Sequence, residues 1–270
     1  MKRFVLILLA MALCASCAAA QETAVTKVRA PLYAGPQAQG TPQMTYVVGV
    51  KVELTGEEEN GYVQVTVGRE GGSLTGWMEE RDLAKGEKAA RFVQAEQMHF
   101  RGTEMQTSSL YSKPDRSAAV LNDSFCLTLR DVIGYSDNGV FMHVRERDGS
   151  TGFVCMNDLE GYQVEYSFEP YIRVTPVDDE LTVEEAVAYA KEVILTAEDS
   201  RMYTGMPDEY ADAEKLEACM PEVEVLYYFD EPDRLTYIVG FRNTERDVLY
   251  AGLSFQWVNG QIVNVSGGNG

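Results

Sequence analysis

The stretch Leu32-Tyr33-Ala34-Gly35-Pro36 occurs a second time, 78 residues later, as Leu110-Tyr111-Ser112-Lys113-Pro114. Further matches follow in the same order, and each copy ends on Asp-Leu. Self-similarity at a fixed period is the sign of a duplicated structural module. The matching segments are Asn60-Gly61-Tyr62-Val63-Gln64-Val65 with Asn138-Gly139-Val140-Phe141-Met142-His143-Val144, which has one residue inserted, and Thr75-Gly76-Trp77-Met78 with Thr151-Gly152-Phe153-Val154.

Each copy consists of short alternating segments that turn residues separate. Val50, Val52 and Leu54 are spaced by Lys51 and Glu53, which is the period of a strand with one buried face. Asn60-Gly61 is a hairpin signal, since both residues adopt positive φ readily. A helix-free module of this size must close or stack its sheet to hide the strand edges. The sequence therefore predicts two small all-β barrels, at 24–86 and 96–160.

The repeated residues also carry a family resemblance. The order Leu-Tyr-x-x-Pro, then Asn-Gly-aromatic, then Gly-Trp followed by Leu resembles the bacterial SH3 (SH3b) domain. The first copy has Trp77 at the Gly-Trp position, whereas the second departs from the pattern with Phe153. The resemblance implies SH3-like barrels, and in this family such domains commonly target exported proteins to cell-wall peptidoglycan.

The resemblance also implies a type of binding site, because SH3-like barrels hold ligands in grooves lined by aromatic rings. Tyr33 and Tyr111 are the leading candidates, since a tyrosine hydroxyl can stay wet while the ring offers a stacking face. The alternative is that these aromatic side chains fill the barrel cores, with Trp77 and Phe153 at equivalent places. The full candidate set for ligand binding is Tyr33, Tyr62, Trp77, Tyr111, Tyr135, Phe141 and Phe153.

A different module is expected at 166–270. Thr182-x-x-Glu185 is a capping box ahead of apolar residues at helical spacing, which predicts a helix over 183–198 and a shorter one over 208–219. Aromatic and branched segments with intervening turns then predict strands at 223–229, 235–242, 248–258 and 261–265. We expect an α+β domain with helices packed on an antiparallel meander, which makes the whole chain multidomain.

The first twenty residues are typical of a secretory signal. Lys2 and Arg3 precede the uncharged run 4–13, and Ala18-Ala19-Ala20 forms a small-residue cleavage site. The alternative is a lipobox-like Cys14-Ala15-Ser16-Cys17, which would anchor the chain through a lipid on Cys17. Both alternatives predict an exported protein in the envelope or outside the cell. No later run is long and apolar enough to predict a membrane span.

The composition and net charge of the chain restrict the classes of partner that it can bind. Hydrophobic residues make up 45% of the 270 residues, which is typical of a globular chain. Lys and Arg total 23 against 42 Asp and Glu, for a net charge of −19. Such a charge repels phosphate backbones and excludes nucleic acid as a favoured partner. It suits the amino groups of peptidoglycan stem peptides better than anionic wall polymers.

Metal and cofactor chemistry have little support in the sequence. The cysteines outside the signal are Cys126, Cys155 and Cys219, without a Cys-x-x-Cys pair, and the histidines are His99 and His143. No metal site and no cofactor are predicted, and whether Cys126 and Cys155 form a disulfide is left open. The acidic runs 57–59 and 178–180 lack the ligand spacing of an EF-hand.

Catalysis is disfavoured too. A cysteine peptidase of the NlpC/P60 type would be a natural companion of SH3b domains, but the C-terminal module holds Cys219 and no histidine. A Cys219–His143 dyad would need two modules to meet, and no Gly-x-Ser-x-Gly motif occurs. The loop Gly71-Gly72-Ser73 is interpreted as structural.

We therefore expect a non-catalytic exported protein that binds peptidoglycan or its stem peptides through both SH3b-like modules. One alternative is that the barrels serve as protein-interaction or spacing modules in an envelope assembly, which the Phe153 departure favours for the second copy. Another, with less support in the sequence, is an enzyme whose site lies in the C-terminal module. The third module would contact another envelope protein or space the assembly.

Overall fold

The computed structural model describes residues 22–69, 71–93, 95–101, 107–126, 131–159, 161–205 and 210–267. The expected signal segment 1–20 and the alternative lipid anchor at Cys17 lie outside these residues, so both stay predictions. Within the described residues the strands form three antiparallel sheets.

The first sheet is built from the first copy alone. Its strands alternate inward and outward side chains, so that Val63, Val65 and Val67 of one strand are buried. Asn60 and Gly61 have φ of 54° and 79°, as expected for the predicted hairpin. In sheet order the strands are β6 (Leu74–Glu79), β5 (Tyr62–Val67), β4 (Lys51–Glu59), β1 (Thr23–Thr26) and β7 (Leu83–Lys85).

The second sheet combines strands of both copies. Its hairpin β2–β3 comes from the first copy, and β3 pairs with β11 of the second through Tyr46 opposite Gly134. The main path runs β10-β9-β13-β12-β11-β3-β2, and β8 pairs with both β11 and β14. The strands are β2 (Ala30–Leu32), β3 (Met44–Tyr46), β8 (Gln97–Arg101), β9 (Thr107–Tyr111), β10 (Val120–Cys126), β11 (Asp131–Tyr135), β12 (Phe141–Arg145), β13 (Thr151–Cys155) and β14 (Gln163–Ser167).

A buried histidine joins the copies. His143 of β12 is 0% exposed, and its Nε2 lies 2.9 Å from the carbonyl oxygen of Gly72 in the first copy. Because a carbonyl oxygen only accepts, Nε2 must carry the hydrogen, and Nδ1 is left to accept from the Tyr46 hydroxyl at 3.1 Å. Both partners belong to the first copy. The neutral imidazole belongs to the second copy and is therefore hydrogen-bonded to two polar groups of the first copy.

The Gly71-Gly72-Ser73 loop docks on β13 at the same point. The Thr151 hydroxyl donates to Gly72 O at 2.9 Å and accepts from Arg69 N at 2.9 Å. A Cβ on Gly72 would come within 1.8 Å of Thr151 O, so this backbone approach requires glycine. The loop 71–73, which we expected to be structural, therefore forms part of the contact between the two copies.

The third sheet, in the C-terminal region, follows the order β15-β16-β17-β18-β19. Helix α2 (Val183–Thr196) packs Ala186, Ala190 and Ile194 towards it, and the predicted capping box of Thr182 and Glu185 is confirmed. None of the described helices is both long and apolar enough to cross a membrane. The remaining elements are β15 (Tyr171–Arg173), β16 (Met220–Tyr228), β17 (Arg234–Asn243), β18 (Val248–Val258), β19 (Gln261–Gly267) and the short helices α1 (Gly86–Ala89) and α3 (Ala213–Glu217).

The predicted fold class was wrong for this region. We expected an α+β domain with helices packed on a meander, but strands account for 49% of the structure and helices for 14%. Residues 208 and 209 of the second predicted helix, 208–219, lie outside the described residues, and the described part is helical only over the five residues of α3. The sheet also gains an edge strand, β15, which pairs with β16. Long runs of aromatic and β-branched residues favour strands of up to 11 residues, which dominate the region.

Two hydrophobic clusters follow these contacts. One contains buried side chains of both copies, including Tyr46 and Phe153. The other combines the C-terminal sheet and α2 with residues of the first copy, such as Val25, and with Phe92, which lies between the two copies in the sequence. The C-terminal sheet therefore packs on the first copy and on the segment that follows it. In this segment the Phe92 ring contacts the Tyr227 ring edge to face, with centroids 4.8 Å apart.

We predict that His143 stays neutral in the folded protein far below its usual titration range. Burial lowers its pKa to about 3, against 6.5 in the unfolded chain. Between about pH 6.5 and pH 3, His143 is protonated in the unfolded state but not in the folded state. The free energy of unfolding therefore decreases by about 1.4 kcal/mol for each pH unit that the pH falls in this range. NMR of the histidine ring protons, assigned with a His99→Gln variant, should show no His143 titration above about pH 4. A midpoint near 6.5 would contradict this prediction.

Candidate functional site

Two of the candidate aromatic side chains form a pair in the first copy. Tyr33 follows β2, and its backbone exchanges two 2.8 Å hydrogen bonds with Trp77 of β6. Tyr62 begins β5, and its ring meets Tyr33 edge to face, with centroids 6.2 Å apart and an angle of 83°. Tyr33, Tyr62 and Trp77 are all half-buried. The strand contacts hold the two tyrosines in place, and part of each tyrosine stays exposed to solvent.

The second copy repeats this arrangement. Tyr111 ends β9 and pairs with Phe153 of β13. Its ring meets that of Phe141, which begins β12, with centroids 6.4 Å apart and an angle of 82°. Tyr111 and Phe141 are half-buried like their counterparts. We call Tyr33 with Tyr62 the first aromatic pair and Tyr111 with Phe141 the second.

Trp77 and Phe153 hold the same place in the strand pairing but differ in burial. Trp77 lies opposite Gln64 and Tyr33, while Phe153 lies opposite His143 and Tyr111. Phe153 is 0% exposed and stacks on the His143 ring at 4.1 Å. Trp77 keeps part of its ring in solvent. Phe153 thus belongs to the core, and Trp77 can border a groove.

Tyr135 stands apart from both aromatic pairs. It lies on β11 opposite Met142 and Thr45, and it is half-buried. Burial raises its pKa, and the nearby Arg29 guanidinium acts in the opposite direction. Tyr135 therefore faces the surroundings of Arg29 and not the ring contacts that define the two pairs.

Charged side chains lie beside both aromatic pairs. In the first, the Tyr62 hydroxyl donates to Glu79 Oε1 at 3.2 Å, and partial desolvation together with this carboxylate raises the pKa of Tyr62. In the second, Tyr111 lies near Arg116, whose guanidinium pairs with Asp158. Glu79 is also ion-paired with Arg81, at 2.5 Å. Each ring pair therefore lies beside one ion pair, which offers both a carboxylate and a guanidinium.

Among the described side chains, Cys155, Cys219 and His143 are not arranged for nucleophilic catalysis. Both ring nitrogens of His143 are engaged inside the core, so neither is free to act as a base. The Cys219 thiol donates to Lys215 O at 3.2 Å, and burial raises its pKa, which is the opposite of an activated nucleophile. Cys155 is a buried free thiol that accepts from Arg116 Nε at 3.3 Å, so it is not part of a disulfide.

The two acidic runs differ in their surroundings. Residues 57–59 lie exposed on β4, where solvent screens them. Asp179 and Glu180 of the other run are paired with Lys88 and Arg91. Among the residues that the structure describes, no three His, Cys, Asp or Glu side chains come together as metal ligands would.

The sequence reasoning missed the role of His143, Tyr46 and Gly72. Their signal was weak: one histidine and one tyrosine at inward positions of strands, and a Gly-Gly loop. None of these patterns predicts a contact between residues 71 or more positions apart. The sequence did locate the aromatic pairs, because their residues belong to the repeat itself.

Comparisons with known proteins add little. No family model matches the sequence, and no curated protein matches it. Among solved structures, NlpC1 from Trichomonas vaginalis aligns over 93% of this chain and 90% of its own, with 12% identity and a TM-score of 0.22. NlpC2 from the same organism aligns over 91% and 92%, with 12% identity and a TM-score of 0.22. A TM-score this low carries no argument.

We predict that truncating Phe153 destabilises the protein more than truncating Trp77. Phe153→Ala removes a fully buried ring that also stacks on His143, which should cost about 3–5 kcal/mol. Trp77→Ala leaves part of its space to solvent and should cost about 1–3 kcal/mol. Urea unfolding of the two variants checks the order. Equal losses, or a larger loss for Trp77→Ala, would show that Trp77 is the core residue.

Proposed function

We propose that this chain is a non-catalytic exported protein that binds peptidoglycan or its stem peptides through the two aromatic pairs. The observation that supports the proposal is the recurrence of an edge-to-face ring pair at equivalent strand positions in both copies. In both copies the paired rings are only half-buried, so they can contact a ligand. This shared exposure favours a shared binding role.

The chemistry of the pairs fits wall components. An aromatic face packs against the apolar side of a sugar ring or an aliphatic peptide side chain, while polar neighbours fix orientation. An ion pair lies beside each ring pair, Glu79 with Arg81 at the first and Arg116 with Asp158 at the second, so both sites offer polar partners to the amino and carboxylate groups of a stem peptide. The net charge of −19 further disfavours anionic wall polymers.

Two sites on one rigid chain act together. Because β3 of the first copy pairs with β11 of the second, the pairs keep a fixed relation to each other. Binding at one pair then raises the effective concentration of ligand at the other, provided that a wall fragment reaches both. A repetitive polymer such as peptidoglycan meets this condition.

The protein-interaction or spacing alternative has one observation in its favour. Phe153 stands where the resemblance expects the Gly-Trp aromatic, and its ring is buried. In the second copy, one candidate aromatic ring is therefore part of the core and is not available to a ligand. On this alternative the second pair would contact another envelope protein.

We predict that removing both leading tyrosines weakens binding to insoluble peptidoglycan. Tyr33→Ala combined with Tyr111→Ala, in residues 21–270, should lower retention about tenfold, because each ring face contributes roughly 0.5–1.5 kcal/mol. Tyr33→Phe with Tyr111→Phe keeps the rings and should retain most of the binding. The measurement is a pull-down with purified walls at several protein concentrations.

A matched control comes from the C-terminal region. Tyr171→Ala with Tyr210→Ala also removes two solvent-reaching tyrosines and should leave retention unchanged. Equal retention of the Tyr33/Tyr111 variant and the parent would remove these tyrosines from the site. Absence of parent binding would favour the protein-interaction alternative, and release of soluble wall fragments would reveal an enzyme.

A further inference from the structure

The outer face of the first copy carries a row of four side chains. Successive side chains of a strand point to opposite faces, so Gln64 of β5 points outward between two buried valines. Trp77 of β6 lies opposite Gln64, and Tyr33 lies opposite Trp77. On the other side of Gln64, the Oε2 atom of Glu57 in β4 accepts from its Nε2 at 2.9 Å. We call Glu57, Gln64, Trp77 and Tyr33 the outer row.

The duplicated face is open in the first copy and closed in the second. In the second copy His143 and Phe153 occupy the places of Gln64 and Trp77, and both are 0% exposed. Groups of the first copy engage both ring nitrogens of His143. In the first copy Gln64 and Trp77 are half-buried, and Glu57 beside them is exposed. A ligand can therefore reach this face in the first copy but not in the second.

The outer row offers hydrogen-bonding groups to such a ligand. Gln64 gives one amide N–H to Glu57, and its second N–H and its amide oxygen have no partner among the described residues. Glu57 forms no ion pair within the described part of the chain. The two oxygens accept and the amide N–H donates, so a ligand that both donates and accepts fits them. Hydroxyl groups meet this condition.

Aromatic rings form the other half of the outer row. Tyr33 and Trp77 are held opposite each other by two backbone hydrogen bonds of 2.8 Å, and both are half-buried. An aromatic ring packs against the apolar side of a sugar ring. Neighbouring strands lie about 4.8 Å apart, which is close to the length of one sugar ring. Successive positions of the outer row can therefore contact successive rings of one sugar chain.

The charges around the outer row favour a neutral ligand. Glu79 lies on the same face, two residues after Trp77, and is ion-paired with Arg81 at 2.5 Å. A cationic ligand would therefore approach the Arg81 guanidinium, and an anionic one would approach the Glu57 carboxylate. Uncharged sugar rings avoid both conflicts, and their hydroxyl groups still use the hydrogen-bonding groups of the row.

We infer that the outer row of the first copy binds the sugar rings of a glycan strand such as that of peptidoglycan. The rings stack on Trp77 and Tyr33, and their hydroxyl groups bond to Gln64 and Glu57. The inference rests on the proposed function for the source of the glycan, and it names the wall component that the first copy holds. The second copy, whose equivalent face is closed, holds no sugar ring at that face.

Oligomers of N-acetylglucosamine test the inference, because they carry the sugar rings of a glycan without stem peptides. The chain has two tryptophans, so the indole N–H NMR signal of Trp77 in residues 21–270 is assigned with a Trp257→Phe variant. The hexamer should shift this signal saturably, with a Kd near about 1 mM. The disaccharide covers only part of the row and should bind at least about fivefold more weakly. No saturable shift, or equal Kd values for both oligomers, would overturn the inference.

Gln64→Leu provides the matched variant, since it removes the amide and keeps a side chain of similar size. It should weaken hexamer binding about fivefold, while an unchanged Trp257 signal shows that the fold is intact. Gln256→Leu is the control, because it removes a half-buried glutamine from β18 of the third sheet and should leave the Kd unchanged. Parent-like binding by Gln64→Leu would remove the amide from the site and overturn the inference.

A pull-down with purified walls separates this inference from the proposed function. Retention of the parent on walls without a hexamer shift overturns the inference and leaves the proposed function standing. A hexamer shift without retention on walls does the reverse, since the sugar site remains and wall binding is contradicted. A free stem peptide that shifts Trp77 at lower concentration than the hexamer would show that the row holds peptide, which also overturns the inference.

Discussion

The structure depends on one buried, neutral imidazole. His143 donates from Nε2 to the Gly72 carbonyl and accepts at Nδ1 from the Tyr46 hydroxyl, and both groups come from the other copy of the repeat. No solvent reaches this site, so a lost partner would leave an unpaired buried polar group on each side. The contact holds β3 beside β11 and joins strands of both copies into one sheet.

This constraint explains the different surfaces of the two copies. In the second copy the imidazole occupies the place that Gln64 holds in the first, and Phe153 is buried by stacking on it. In the first copy Trp77 has no such partner and keeps contact with solvent. The ring pairs lie beside these residues, since Tyr33 is opposite Trp77 and Tyr111 is opposite Phe153, and their members are half-buried in both copies. The connection between the copies therefore decides which repeat aromatic is structural, and it leaves both pairs half-buried.

The sequence could predict what local patterns determine. The repeat located Tyr33, Tyr62, Tyr111 and Phe141, and positive φ at Asn60 and Gly61 agrees with the predicted hairpin. Contacts between distant residues carry no local pattern, so the His143 contact could not be predicted. The helix predicted over 208–219 is shorter in the described part of the chain, where it covers Ala213–Glu217, because composition outside a strong period is a weak signal for helix bounds.

Native-state hydrogen exchange tests the central claim, that the two copies form one cooperative unit. The amides of Val65 in β5 and Val144 in β12 report on the first and the second copy. If the His143 contact and the shared sheet join them, both amides should exchange through the same global opening, with equal free energies and equal dependence on denaturant. Exchange of one copy at a free energy lower by more than about 2 kcal/mol, with a smaller denaturant dependence, would show that the copies unfold separately.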